Sequence, residues 1–338
     1  MSRYSRQELF AGIGPDGQAR LRSSRVLLVG CGALGSVLAE MMVRAGVAAL
    51  TLVDRDFVEE SNLQRQSLFD ESDAARGLPK AVAAEAKLRR INSEVEVRGV
   101  VADLSADNAD ELVKGADLVL DGTDNFETRF LLNDVCVRDG IPWVYGACVG
   151  SYGLALLVRP RLSPCLRCVL EEMPPPGSGP TCDTAGVIAP IVHVIAGIQA
   201  AEALKLLAGR TRDLLPGIVT VDLWQGVFEV VDLTRQAPSC PACTQGRFDY
   251  AALETAGTST VLCGRDAVQV RPSRGARIDL PALAGRLEGV GEVTANEYLV
   301  RFSIGDAQMV VFGDGRAIVK GVKDPARART LYAKYVGS

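Results

Sequence analysis

The chain has 338 residues, 48% of them apolar and 23% charged, with nine cysteines and a formal net charge of −4. That length fills one large domain and a smaller one, and the slight negative charge without a Lys/Arg run argues against direct nucleic acid binding. The N-terminus lacks the apolar core of a signal peptide, and the longest apolar run, Val187 to Ile198, is broken by Pro190 and His193 and too short for a span of about 20 residues, so a soluble, cytoplasmic protein with no membrane contact is expected.

Residues 3–22 read as a short arm and a helix interrupted by Gly12, Gly14 and Gly17. Arg25 to Gly35 (R-V-L-L-V-G-C-G-A-L-G) then runs four apolar residues, Val26 to Val29, into Gly30, Gly32 and Gly35, with helical spacing over Ser36 to Ala45. A strand, a glycine turn and a helix start let the backbone approach a phosphate, attracted by the free N–H groups and the helix dipole. The glycines alone do not choose between a dinucleotide and another nucleotide. Ala49 to Asp54 reads as a second buried strand. Its terminal Asp54 stands near the spacing at which an acid meets ribose hydroxyls; the plain alternative is a helix cap or a solvated loop acid.

A polar excursion, Glu59 to Gln66 (E-E-S-N-L-Q-R-Q), precedes G-L-P-K at Gly77 to Lys80, which opens a helix with Val82, Ala86 and Leu88 on its apolar face. It carries Arg65 and Lys80 back towards the glycine turn, as the charge of a triphosphate would need, although a loop with ordinary solvated charges has the same composition. Strands are expected at Val95–Val101 and Ala116–Gly122. The second ends in T-D-N, where Asp124 is a candidate magnesium residue and Asp121 a structural one. A helix over Phe126–Arg138 and strands over Pro142–Cys148 and Ser151–Val158 follow.

Cys165-Leu-Arg-Cys168 and Cys240-Pro-Ala-Cys243 form two C-x-x-C pairs, the pattern of a closed structural zinc site with four thiolates. Between them, Met173 to Gly186 is rich in Pro and Gly and reads as a surface loop. Cys182 at its end is a candidate nucleophile or a thiol without a role. Cys31, Cys136, Cys148 and Cys263 read as small core residues, and His193, the only histidine, as packed rather than catalytic. Beyond a Gly- and Thr-rich loop, D-A-V-Q-V-R-P, D-L-P-A-L-A-G-R-L, E-Y-L-V-R-F-S, A-Q-M-V-V-F and Gly313–Lys320 alternate strand and helix patterns. Asp324 caps a last helix before Pro325. The expected architecture is an α/β chain: a Rossmann-like, mainly parallel sheet with helices on both faces over residues 1–245, and a small C-terminal α+β domain over 246–338 with no cluster for chemistry.

R-Y-S-R-Q, V-G-C-G-A-L-G, L-V-D-R-D, S-N-L-Q-R-Q, G-L-P-K, D-G-T-D-N, the two C-x-x-C pairs and T-C-D-T-A-G-V-I-A-P, in this order, resemble the ThiF/MoeB/HesA branch of the ubiquitin-activating superfamily. The resemblance implies ATP- and Mg²⁺-dependent adenylation of the C-terminal glycine of a ubiquitin-like sulfur-carrier protein. Such activation prepares the carrier for thiocarboxylate formation in thiamine, molybdenum cofactor or tRNA-thiolation routes. It places Gly32 against ATP, Asp54 on its ribose, Ser61, Asn62, Arg65 and Lys80 on the phosphates, Asp124 at magnesium and Asn125 beside the nucleotide. Arg6 matches an arm arginine that reaches the other subunit's ATP, which implies a homodimer. Cys165, Cys168, Cys240 and Cys243 match zinc ligands, and Cys182 a loop cysteine that bonds the carrier or its sulfur in some members. A cysteine desulfurase or sulfurtransferase is the implied sulfur donor. Competing readings are a Rossmann-type NAD-dependent oxidoreductase, motivated by the glycine turn and Asp54 alone, and a catalytically silent zinc-containing scaffold.

Overall fold

Val26 to Val29 lie near the middle of an eight-stranded sheet, with Val26 and Leu28 facing one apolar layer and Leu27 and Val29 the other. A strand apolar at every position is what a sheet covered on both faces requires. The computed structural model describes residues 2–175, 179, 181–233, 237–252, 259–262, 267–271 and 277–337. The chain divides into two units, Met1–Pro175 with Ala185–Leu253, and Pro176–Thr184 with Glu254–Ser338.

The first unit opens with α1 (Ser5–Leu9) and α2 (Gly14–Leu21), followed by β1 (Arg25–Val29), α3 (Ala33–Ala45) and β2 (Ala49–Asp54). A 3-10 turn at Glu60–Asn62 leads to α4 (Glu71–Arg76), α5 (Lys80–Ile91), β3 (Glu96–Val101), α6 (Ala109–Val113), β4 (Leu118–Asp121) and α7 (Phe126–Asp139). Then come β5 (Trp143–Val149), β6 (Tyr152–Val158), α8 (Leu166–Val169), α9 (Cys182–Ala185, of which only Ala185 belongs to this unit), α10 (Ala189–Leu207), β7 (Gly217–Asp222) and β8 (Val227–Asp232). The strand order is β3-β2-β1-β4-β5-β6-β7-β8. The first five strands pair in parallel, and β5 to β8 continue the sheet antiparallel.

One layer is built by α3, α5 and α10, the other by α7 and the segments near Leu104 and Cys165. The buried face of α5 holds Ala81, Ala84 and Leu88, whereas Ala86, expected on it, is exposed. The apolar run expected to end at Ile198 continues as α10 to Leu207, a 19-residue helix that by length and composition could cross a membrane. Here it packs on α3, β5 and β6, with Ile191, Val192, Ile195 and Ala196 fully buried, so its apolarity serves the core.

The second unit holds β9 (Ser259–Leu262), β10 (Ala267–Val270), α11 (Leu280–Leu287), β11 (Glu292–Ala295), β12 (Leu299–Ile304), β13 (Ala307–Phe312), β14 (Ala317–Lys320) and α12 (Pro325–Tyr335). Its six strands run in the order β11-β12-β13-β14-β10-β9, every neighbouring pair antiparallel. Val300, Phe302, Val311 and Val319 meet Leu283 of α11 and Tyr332 of α12 in a separate core. Strand β9 falls within the stretch expected to be loop, and Cys263 lies outside the described residues.

Candidate functional site

In the order 3-2-1-4-5 the connections leaving β1 and β4 diverge, so the crevice between those two strand ends is where a doubly wound sheet binds a ligand. Three glycines bring the two loops into contact there. Gly30 has φ 85°, in the left-handed region. A Cβ on Gly30 would stand 2.7 Å from the Gly122 carbonyl carbon, one on Gly35 1.9 Å from the Gly30 oxygen, and one on Gly122 2.5 Å from that same oxygen. Gly32, the N-cap residue of α3, differs: beyond its two chain neighbours, a Cβ there would meet within 4 Å only Gln66 Nε2, at 3.8 Å. Gly30 and Gly35 thus serve the packing of the turn, and Gly32 leaves room above the helix N-terminus.

Asp54 ends β2 beside this turn and is 8% exposed, so it is not a solvated loop acid. Its Oδ2 accepts the Cys31 N–H at 2.6 Å and its Oδ1 the Asp56 N–H at 2.7 Å. Burial raises the Asp54 carboxyl pKa, while Lys80 and the two backbone donors oppose the rise. The Cys31 thiol is pushed up by burial and by Asp54, which keeps it protonated and inert.

The polar excursion is tied back to β2. Lys80 donates its backbone N–H to the Asp56 carbonyl at 2.9 Å, Val58 pairs with Leu78, and Phe57 bridges Pro79. Lys80 is consequently 3% exposed, its Nζ 3.2 Å from Asp56 Oδ2. An ordinary loop lysine would be in water; this one is held at the strand ends. In the 3-10 turn, Asn62 is buried and its Oδ1 accepts the Glu59 N–H at 3.2 Å, whereas Ser61 is exposed. Arg65 is half-exposed and donates from Nη1 to the Ser61 carbonyl at 2.9 Å.

Past β4, Asp121 is fully buried and pairs with Arg129 at 3.1 Å, while accepting the Thr123 N–H at 2.8 Å. Burial raises the Asp121 pKa and Arg129 counters it. Arg129 Nη2 also donates to the carbonyls of Thr123, at 2.7 Å, and Gly146, at 2.9 Å, and so fixes the loop that presents Asp124. Asp124 is exposed, and Asn125 is the N-cap of α7, its Oδ1 accepting the Thr128 N–H at 2.9 Å. The structure therefore gathers Gly30, Gly32, Gly35, Asp54 and Lys80 at adjoining strand ends and joins them through Gly122 to the Asp124 loop. Asp56, Gln66, Gly122 and Arg129 belong to this constellation and were not singled out from the sequence. Asp56 had a visible signal, an acid two places after Asp54; the others depend on contacts between distant segments.

The four cysteines of the C-x-x-C pairs converge with all sulfurs within 4.8 Å of one another. Cys165 Sγ lies 3.5 Å from Cys240 Sγ and 3.9 Å from Cys168 Sγ, and Cys168 Sγ 3.3 Å from Cys243 Sγ. A tetrahedron with Zn–S bonds of about 2.3 Å has edges of about 3.8 Å, so the donor set fits zinc with no position left open. Burial and its neighbours push the Cys243 thiol up to about 12, while the hydrogen bond with Cys165 holds Cys168 down to about 5.

The remaining candidates stand apart from the strand ends or outside the first unit. Arg6 is exposed on α1, near the exposed Leu9 and Phe10. Cys182, half-buried, starts the single turn α9 rather than the long helix, which begins at Ala189. His193, expected to be packed, is exposed on α10, its Nδ1 3.0 Å from the Ala189 carbonyl oxygen.

A doubly wound sheet with a glycine turn at its switch point, a buried lysine beside it and a closed four-thiol cluster defines a nucleotide-binding α/β protein with a structural metal centre. The chain belongs to the ThiF family, whose pattern it matches over residues 4–242. It is 48% identical over 337 residues, 99% of both chains, to the sulfur carrier protein ThiS adenylyltransferase of Bacillus subtilis. It is 43% identical over 249 residues to the SAMP-activating enzyme E1 of Haloferax volcanii, covering 74% of this chain and 91% of that one. The crystal structure of E. coli MccB with ATP shares the fold, with a TM-score of 0.62 at 22% identity, covering 72% of this chain and 75% of that one.

Proposed function

We propose that the chain uses ATP to adenylate the C-terminal glycine of a ubiquitin-like sulfur carrier, and that the carrier is ThiS-like. What carries this is the glycine turn at the switch point with Lys80 held beside it, in a chain matched over its whole length by a protein named a ThiS adenylyltransferase. A carrier carboxylate oxygen attacks the α-phosphorus, the bond to the β-phosphate oxygen breaks, and pyrophosphate leaves with that electron pair. An anion attacking a polyanion needs charge neutralisation rather than a general base. Lys80 and Arg65 supply it, with Ser61 and Asn62 on the phosphates, Gly32 against the nucleotide, Asp54 on the ribose and Asn125 beside it. Asp124 would hold the magnesium that arrives with ATP, and the ion would screen the phosphate charge.

Cys182 then acts after adenylation, on the carrier or its sulfur, with sulfur delivered by a desulfurase or sulfurtransferase. Zinc is structural. The working unit is a soluble cytoplasmic homodimer in which Arg6, exposed beside Leu9 and Phe10, reaches the partner subunit's nucleotide. An NAD-dependent oxidoreductase would leave the burial of Lys80 against Asp56 without a purpose.

The test is ATP–pyrophosphate exchange. Exchange is expected only with a carrier ending in Gly-Gly, alongside tight ATP·Mg²⁺ binding and no NAD binding. No exchange with any carrier encoded by the same organism would overturn the adenylation reading and favour a silent scaffold.

A further inference from the structure

Gln66 closes the polar excursion, one residue past Arg65. It is 2% exposed, and its Oε1 finds no hydrogen-bond partner among the described residues. An amide oxygen buried in this way costs the fold free energy, because its water hydrogen bonds are lost and not replaced. The backbone holds it there regardless: Gln66 N–H donates to the Asn62 carbonyl at 3.0 Å, in the turn that also positions Ser61 and Arg65. Outside Gly32 and its two chain neighbours, its Nε2 is the one atom within 4 Å of where a Cβ on Gly32 would stand. The amide therefore borders the open space above the N-terminus of α3, beside the one glycine of the turn that packing does not require.

We propose that Gln66 is a substrate-contacting residue of the adenylyl transfer: its Nε2–H donates to a non-bridging oxygen of the α-phosphoryl group lying over Gly32. This rests on the adenylation reading. Helix N-terminal N–H groups draw a phosphate to this place, and a neutral amide adds a directed donor without another charge to balance. In the transfer the carboxylate oxygen bonds to phosphorus as the bond to pyrophosphate breaks, and no proton moves. The oxygens that stay on phosphorus accept more strongly as the transition state forms, so a fixed donor there lowers the barrier.

Gln66→Met keeps the volume and removes both polar atoms; Gln66→Glu keeps the shape and sets an acceptor against the phosphate. With the wild-type carrier and Mg²⁺, Q66M is expected to lower kcat for exchange on the order of 10- to 100-fold, and Q66E further. The probes are the two diastereomers of adenosine 5′-O-(1-thiotriphosphate). Sulfur accepts hydrogen bonds poorly, so the wild type should discriminate against one diastereomer, and Q66M should lose most of that discrimination.

Stability gives the opposite sign from a structural role. Without nucleotide, Q66M should melt a few degrees higher, because a buried orphan acceptor is gone. A lower melting temperature with unchanged kcat would make Gln66 structural and overturn the proposal, as would reduced exchange with thio-discrimination intact. If the wild type itself shows no exchange, the adenylation reading fails first, and the two failures are told apart.

Discussion

Lys80 carries a charge into a place where a charge needs a reason. At 3% exposure its ammonium has lost its water, and Asp56, 3.2 Å away, replaces part of it. Lys80→Ala should lower exchange at least 100-fold and destabilise the first unit by about 2 kcal/mol, less than a fully buried broken pair because Asp56 keeps some solvent and Arg55 nearby. The double variant K80A/D56A should recover much of the stability and none of the activity, as denaturant unfolding and exchange measured side by side will show. Recovery of both would make the pair a structural contact alone. The excursion and its lysine were legible in the sequence because G-L-P-K and S-N-L-Q-R-Q are local patterns. That Lys80 is buried was not legible, since the Phe57–Pro79 bridge that buries it joins residues with no mutual signal. His193 fails in the reverse sense: its neighbours Ile191, Val192 and Ile195 are core, yet it falls on the one stripe of α10 that faces out.

Among the elements, the central parallel strands β1, β2 and β4 were readable because each is a short apolar run ending in a turn or an acid. The antiparallel continuation through β6, β7 and β8 was not, because strand direction depends on where the chain returns. The cysteine cluster lies along that return. Cys165 lies just past β6 and Cys240 past β8, and both are buried in the layer that holds Phe130 and Trp143. A metal held there would join two loops that have no strand pairing of their own, and its binding energy would become folding energy. One zinc per chain is expected by metal analysis of freshly purified, reduced protein, and finding none would refute the site. Chelation, or Cys165→Ala, should lower the melting temperature by several degrees. ATP–pyrophosphate exchange should persist in protein kept cold enough to stay folded, since a closed four-thiolate site offers no position for substrate. Loss of exchange in folded, zinc-free protein would give the metal a part in the chemistry.

At the scale of the whole molecule, the proposed homodimer would add to Lys80 and Arg65 a further cation, Arg6, from the other chain. Arg6 is exposed on α1, and the same short segment leaves Leu9 72% and Phe10 65% exposed. Two large apolar side chains next to an exposed arginine suit a surface covered by a second copy. In a two-fold dimer each arm would then serve the opposite nucleotide. Arg6→Ala and Asp124→Ala should each be nearly inactive alone. Unfolded together and refolded as a mixture, half the dimers carry one of each chain, and each such dimer has one site with both residues intact. Activity should return to about a quarter of the wild-type value per chain, the statistical share for a residue supplied across a two-fold axis. If Arg6 serves its own chain, every site in the mixed dimer lacks one residue or the other, and mixing restores nothing. A monomer at working concentration, measured by sedimentation, would remove the partner and with it the role given to Arg6.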